Sequence, residues 1–253
     1  QAISIAIDAG EKLDIFNNGL GTQAQHAIPP GVFGHEAVEA GINPYVFRWD
    51  KQRNAPARRS IEDAKKLLAE AGYPGGYGPD GLPLEIKYLM MSPTPGQRSE
   101  LKLLQKQLGR INIRLETEDC DTTRFFDKIR KGSFQFVRFG WLADYPDPET
   151  FLILFYMPEV VTPDMQNQSR YDNPRFNELY RQMSRMENTP ERKAILREML
   201  HIMCKDAPGV FESHGMALTL RHSWLHNMCT YPLASNTMKY QRIDVPKRTA
   251  YRN

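Results

Sequence analysis

The chain has 253 residues, 41% of them hydrophobic and 25% charged, with 33 Lys plus Arg against 30 Asp plus Glu. That is enough for a sizeable core in one large domain or two small ones. The near-balanced charge argues against a dedicated nucleic-acid binder, and no stretch approaches the ~20 apolar residues that span a bilayer.

The first residues, QAISIAID (1–8), are apolar-rich at helical spacing and have no capping residue before them. A start at Gln1 inside such a pattern is expected of a piece cut from a longer protein, so the lack of a visible leader leaves the compartment open.

Ser60, with Asp63 three residues on, forms a capping-box pattern. Ile61, Ala64, Leu67, Leu68 and Ala71 follow at helical spacing until Gly72 and Pro74 stop the helix. A turn-rich link over residues 73–81 leads to an alternating strand at 84–90, carried by Leu84, Ile86 and Tyr88. Leu101, Leu104 and Leu108 mark the next helix, ended by Gly109. Ile111, Ile113 and Leu115 alternate with polar residues in a second strand, 111–118. Asp121 or Thr122 caps a helix holding Phe125, Phe126 and Ile129, and residues 134–141 form a third strand. The basic run Lys128, Arg130 and Lys131 fits a solvated helix end, where cations are favoured. Strand–helix–strand alternation with short joints predicts an α/β fold, a sheet covered by helices.

The last third is mainly helical. Asn173-Pro174 start one helix, with Phe176, Leu179, Tyr180 and Met183 on one face. Thr189-Pro190 start another, with Ile195, Met199 and Met203 on its stripe. Two short apolar runs follow Pro208, at 210–211 and 216–220, ahead of a polar, basic tail. Cys120, Cys204 and Cys229 form no C-x-x-C pair and are expected as buried thiols, although Cys204 and Cys229 could pair in an oxidising compartment. His222 and His226 would share a face if helical, but they lack a third ligand and have Arg221 beside them, so no metal site is expected there. His26, His35, His201 and His214 form no better constellation, and no motif asks for a cofactor.

The segment VRFGWLADYPDPE (137–149) is where a strand runs into a proline-punctuated turn. In an α/β sheet ligands sit beyond the carboxyl ends of strands. Trp141 and Tyr145 bracket Asp144, a combination that suits a cationic group: the carboxylate accepts charge-assisted hydrogen bonds while aromatic faces exclude water. The plainer reading is an Asp-Pro turn with Trp141 in the core. A hydrolase would have to use Asp144, Asp147 and Glu149 as acid and base, without the support of a phosphate loop, a G-x-S-x-G elbow or an H-E-x-x-H pair.

GWLADYPDP (140–148) resembles the hallmark segment of the family 5 extracellular solute-binding proteins, the dipeptide and oligopeptide binders. QAISIAID (1–8), IPPGVF (28–33), AKKLLAEAGYP (64–74) and SRYDNPRF (169–176) also look like landmarks of that family, in its order. The resemblance implies a periplasmic-binding-protein-like lobe from the C-terminal half of a two-lobed protein about twice this length. Residues 1–59 would be an entry helix and loop segment, 60–205 the α/β lobe, and 206–253 a return toward an N-terminal lobe outside the chain. Asp144 would hold a peptide's ammonium and Trp141 would wall the first side-chain pocket, with Tyr145 beside them. Backbone groups of Gly140 and Leu142 would pair with an extended peptide, and Arg138 would reach its carboxylate. The partners implied are a peptide, ABC transporter permease subunits and the other lobe, in a periplasmic or extracytoplasmic setting, with self-association of the bare fragment. Asn177 departs from the family, which often carries Asp there.

Overall fold

The computed structural model describes residues 1–36, 39–162, 164–228 and 237–251. In chain order the elements are α1 (Ala2–Ala6), α2 (Ala9–Phe16), β1 (Thr22–Gln23), β2 (Phe47–Asp50), β3 (Ala55–Arg58), α3 (Ile61–Glu70) and β4 (Glu85–Met91). Next come α4 (Pro95–Gly109), β5 (Arg114–Cys120), α5 (Thr122–Lys131), β6 (Phe136–Val137), α6 (Glu149–Leu152), α7 (Pro174–Met183) and α8 (Pro190–Asp206). β7 (Ser213–His214), β8 (Leu225–His226), β9 (Arg242–Ile243) and α9 (Val245–Ala250) complete the set.

The fold is α/β. Its main sheet has the order β5-β4-β6, with β4 parallel to both neighbours. The period-2 pattern decides the faces. Tyr88, Met90 and Leu115 enter a core shared with Ile5 of α1, Phe47 of β2, Ala64 and Leu68 of α3, and Leu101 and Leu108 of α4. Leu89 and Cys120, on the opposite parity, pack on Phe125 and Ile129 of α5. Tyr88, Leu89 and Met90 are buried in succession, as a parallel strand covered on both faces requires.

Helix ends follow their capping chemistry. Ser60 and Asp63 exchange side-chain and backbone hydrogen bonds in a complete capping box. Asp121 accepts from the Arg124 amide, and Gly132 closes α5 in the left-handed region at φ 64°. Asn173 and Thr189 cap α7 and α8, each followed by proline in the first turn. These two helices form a second core with Ile28 and Leu152, built from Phe176, Leu179, Met183, Leu196, Met199 and Met203. Asn177 is buried beside it. Its carbonyl accepts from the Met157 amide at 3.0 Å and its amide donates to Asp172 at 2.7 Å. An aspartate could not make the second of these bonds.

Two expectations are corrected. The third strand is only Phe136–Val137, against Tyr88 and Leu89, not the whole of 134–141. The Gln135 side chain takes the Lys87 amide at 2.8 Å in place of a ladder partner, and Phe139 and Trp141 are exposed beyond the pairing. The second strand begins at Arg114; Ile111 and Ile113 are buried in the tight turn before it, where Asn112 takes φ 57°. Among the described residues no helix is long and apolar enough to cross a membrane.

Candidate ligand-binding site

β6 leaves the sheet at Val137, on the side where the parallel strands β4 and β5 also present their carboxyl ends. Residues 138–148 then run without regular structure to α6. Gly140, Trp141, Leu142, Asp144 and Tyr145 all lie on this stretch and are all exposed. Leu142 is 90% exposed. Trp141 keeps 38% of its surface open while its indole nitrogen donates to the Thr150 hydroxyl at 3.3 Å. This replaces the reading of Trp141 as a core residue: the ring is held at its polar edge, with part of its surface left to solvent.

Among the described residues none donates a hydrogen bond or ion pair to the Asp144 carboxylate. The neighbouring acids are different. The Tyr145 hydroxyl donates to Glu149, which also accepts from Tyr180 at 3.0 Å. The hydrogen bond to Glu149 pushes the Tyr145 phenol up to about 12, with desolvation and the nearby carboxylates adding to it. Asp147 faces Arg192, with both terminal guanidinium nitrogens 2.7 Å from its oxygens. Burial works against the Asp147 charge, but the hydrogen bonds from Arg192 and the Glu149 amide outweigh it and hold the carboxyl below its ordinary range. Two of the three acids that a hydrolase would need are thus committed to structural partners.

Arg138 is also committed. Its guanidinium pairs with Glu100 of α4 and, at 3.0 Å, with Glu212. Lys12 of α2 reaches Glu212 at 2.8 Å and Glu100 at 3.8 Å. Two cations stand against two anions here, so an Arg138 that received a ligand carboxylate would share its charge with Glu100 and Glu212. Arg192, Thr150 and Tyr180 were missed in the sequence. Their partners lie 45, 9 and 31 positions away, and no local pattern announces such pairs.

The other candidates do not assemble. His222 stacks on Trp224 at 4.7 Å, and His226 lies in the short strand β8 with its Nε2 3.7 Å from Asp244, so the two share no helix face. Among the described residues no group of three His, Cys, Asp or Glu could hold a metal ion. Cys120 and Cys204 are buried thiols, and burial pushes Cys204 up to about 12. Cys229, its suggested partner, lies outside the described residues.

The chain belongs to the bacterial extracellular solute-binding proteins of family 5, whose middle-region model matches residues 1–161. It is 23% identical over 218 residues to heme-binding protein A of Haemophilus influenzae, covering 85% of this chain and 36% of that protein. It is 26% identical over 209 residues to the periplasmic oligopeptide-binding protein OppA of Salmonella typhimurium, covering 81% of this chain and 34% of that one. The chain thus spans about a third of the length of these relatives. In fold it resembles the dipeptide binding protein from Pseudoalteromonas sp. SM9913, solved in complex with Met-Leu, with a TM-score of 0.71 at 21% identity over 96% of this chain and 44% of that chain.

Proposed function

We propose that this chain supplies one wall of a periplasmic peptide-binding cleft, as part of a solute-binding protein that delivers peptides to the permease of an ABC transporter. The observation that carries this reading is Asp144, an exposed carboxylate without a partner among the described residues, flanked by Trp141 and Tyr145 beyond the carboxyl end of β6. A peptide ammonium exchanges water for Asp144, Trp141 walls the first side chain, and backbone groups of Gly140 and Leu142 pair with the extended peptide as an added strand would. An Arg138 that received the peptide carboxylate would share its charge with Glu100 and Glu212. The binding is capture without chemistry, since Asp147 and Glu149 are held by Arg192 and by two tyrosines. The names of OppA and of the Pseudoalteromonas protein favour a peptide. The rest of the protein covers the open side, and the closed form engages the permease.

Calorimetry on the complete protein tests this, with di- to pentapeptides bearing free amino ends and the same peptides N-acetylated. Truncating one partner of an enclosed charge pair costs about 2–5 kcal/mol, so Asp144→Asn weakens free-amine peptides by roughly 30-fold or more. The acetylated peptides lose little. Equal losses for both sets would remove Asp144 from the role of ammonium reader.

A further inference from the structure

The segment that carries Trp141, Asp144 and Tyr145 is tied down at each end by a guanidinium. At its start Arg138 is drawn onto Glu100 and Glu212. At its end stands Arg192, in the first turn of α8 and 3% exposed. Every direction of the Arg192 fork is used. Nη1 and Nη2 meet the two oxygens of Asp147, Nε donates to the Met183 carbonyl at 2.9 Å, and Nη1 also reaches the Asn188 side chain at 2.6 Å. A planar guanidinium paired in this way fixes orientation as well as distance. The corner between α7 and α8 therefore dictates where Asp147 sits.

From Asp147 the constraint passes along the chain in both directions. Its amide donates to the Tyr145 carbonyl at 2.8 Å, which folds the chain back immediately after Asp144. Its Oδ1 accepts from the Glu149 amide at 2.9 Å, which orients the entry to α6. Thr150, one residue further on, holds the Trp141 indole. Asp144 and the aromatic ring beside it are thus referred to the same fixed point.

We propose that Arg192 is a positioning residue for ligand recognition, which through Asp147 sets the direction in which Asp144 meets the ligand ammonium. This rests on the reading of Asp144 given above. A merely stabilising pair would lower the stability of the protein without altering how well the folded protein tells a free amine from an acetylated one.

The test uses the complete protein carrying Arg192→Lys, which keeps the charge but loses the fork. Asn188→Ala, which removes one acceptor from the guanidinium, serves as a milder variant should the first fold poorly. Two quantities are read: hydrogen exchange of the Asp147 and Glu149 amides without ligand, and the ratio of Kd for N-acetylated over free-amine peptides. Arg192→Lys speeds exchange at both amides by about tenfold, the equivalent of one charge-assisted hydrogen bond, and lowers the Kd ratio while exchange in β4 is unchanged. An unchanged ratio in a folded variant overturns the proposal, and so does unchanged exchange at the two amides. If Asp144→Asn itself leaves the ratio at the wild-type value, the reading of Asp144 fails, and the proposal that Arg192 directs it is overturned with it. A ratio that falls for Asp144→Asn but not for Arg192→Lys condemns the positioning role alone.

Discussion

The His26 and His35 rings lie 5.4 Å apart, and His214 stands 6.4 Å beyond His35. His26 is 3% exposed, and its Nδ1 accepts the Ile28 amide at 3.2 Å, so a proton at that nitrogen would displace a hydrogen bond. Burial, with the charges that His35 and His214 would carry, pushes His26 down to about 4, Glu36 opposing only in part. Burial and His35 likewise bring His214 down to about 4, against a hydrogen bond to the His26 backbone. Both groups favour the proton less in the folded than in the unfolded chain. Their contribution is complete above the ordinary histidine value of 6.5 and is lost as pH falls through about 4. For His26 the loss is on the order of 3 kcal/mol. Glu36, held down to about 2 chiefly by hydrogen bonds from Arg197 and Lys193, acts in a separate window between its ordinary 4.5 and about 2. Denaturant unfolding from pH 7.5 to 4 should show the decline. His26→Asn, whose amide oxygen can take the Ile28 amide, should flatten it, and an unchanged slope would exonerate the cluster.

The Ser60–Asp63 box gives a second prediction. The Asp63 amide donates to the Ser60 hydroxyl and the Ser60 amide to the Asp63 carboxylate, both at 3.1 Å. It starts α3, which packs against α1 in the main core. Ser60→Ala should cost about 1 kcal/mol in the urea midpoint. Glu62→Ala, which removes the exposed pair with Lys65 at 2.9 Å and one acid from the first turn, should cost at most about 0.5 kcal/mol. Equal shifts for the two would mean that the cap contributes nothing of its own.

Ser60, Asn173 and Thr189 were legible in the sequence, and Asp121 as one of two adjacent choices, because a cap is read within three residues, and each side chain accepts the amide that the spacing requires. β4 was legible from the alternation of Leu84, Ile86 and Tyr88, and β5 only in part, since Ile111 and Ile113 belong to the buried turn before Arg114 and Leu115 alone of that trio stands in the strand. β6 was overdrawn for the complementary reason. Apolar residues at 136–141 look the same whether they enter a ladder or stand on the surface, and only the position of β6 beside β4 decides. The site segment could be found from its residue types, but the ties that shape it could not. Arg138 has the chemistry to receive a carboxylate, and nothing nearby in the chain reveals that Glu100 and Glu212 already occupy it.

Residues 1–253 expressed alone should self-associate and bind peptides hardly at all. Both ends of the chain were expected to present apolar surface, but the first does not: Ile5, Ala6 and Ile7 are buried against α3 and α4 in the main core. At the other end Val210 and Phe211 also pack on the cores, and only the run at 216–220 is exposed. Beyond β7, Met216, Leu218 and Leu220 are 59%, 72% and 85% exposed on a stretch without regular structure. Single exposed leucines are ordinary, but three large apolar side chains at alternate positions make a stripe. Covering a leucine fully is worth roughly 1.5–3 kcal/mol, so pairing two such stripes competes with the entropy of association. An open Asp144 is the counterpart. A solvated charge pair contributes at most about 1 kcal/mol, too little to order a flexible peptide. Sedimentation of the isolated chain should therefore show dimers or larger species at micromolar concentration, and Leu218→Lys with Leu220→Lys should return it to a monomer. Calorimetry of either form with di- to pentapeptides should give no heat attributable to binding. A wild-type chain that stays monomeric and binds peptides at micromolar concentration would mean that this wall of the cleft needs no second one.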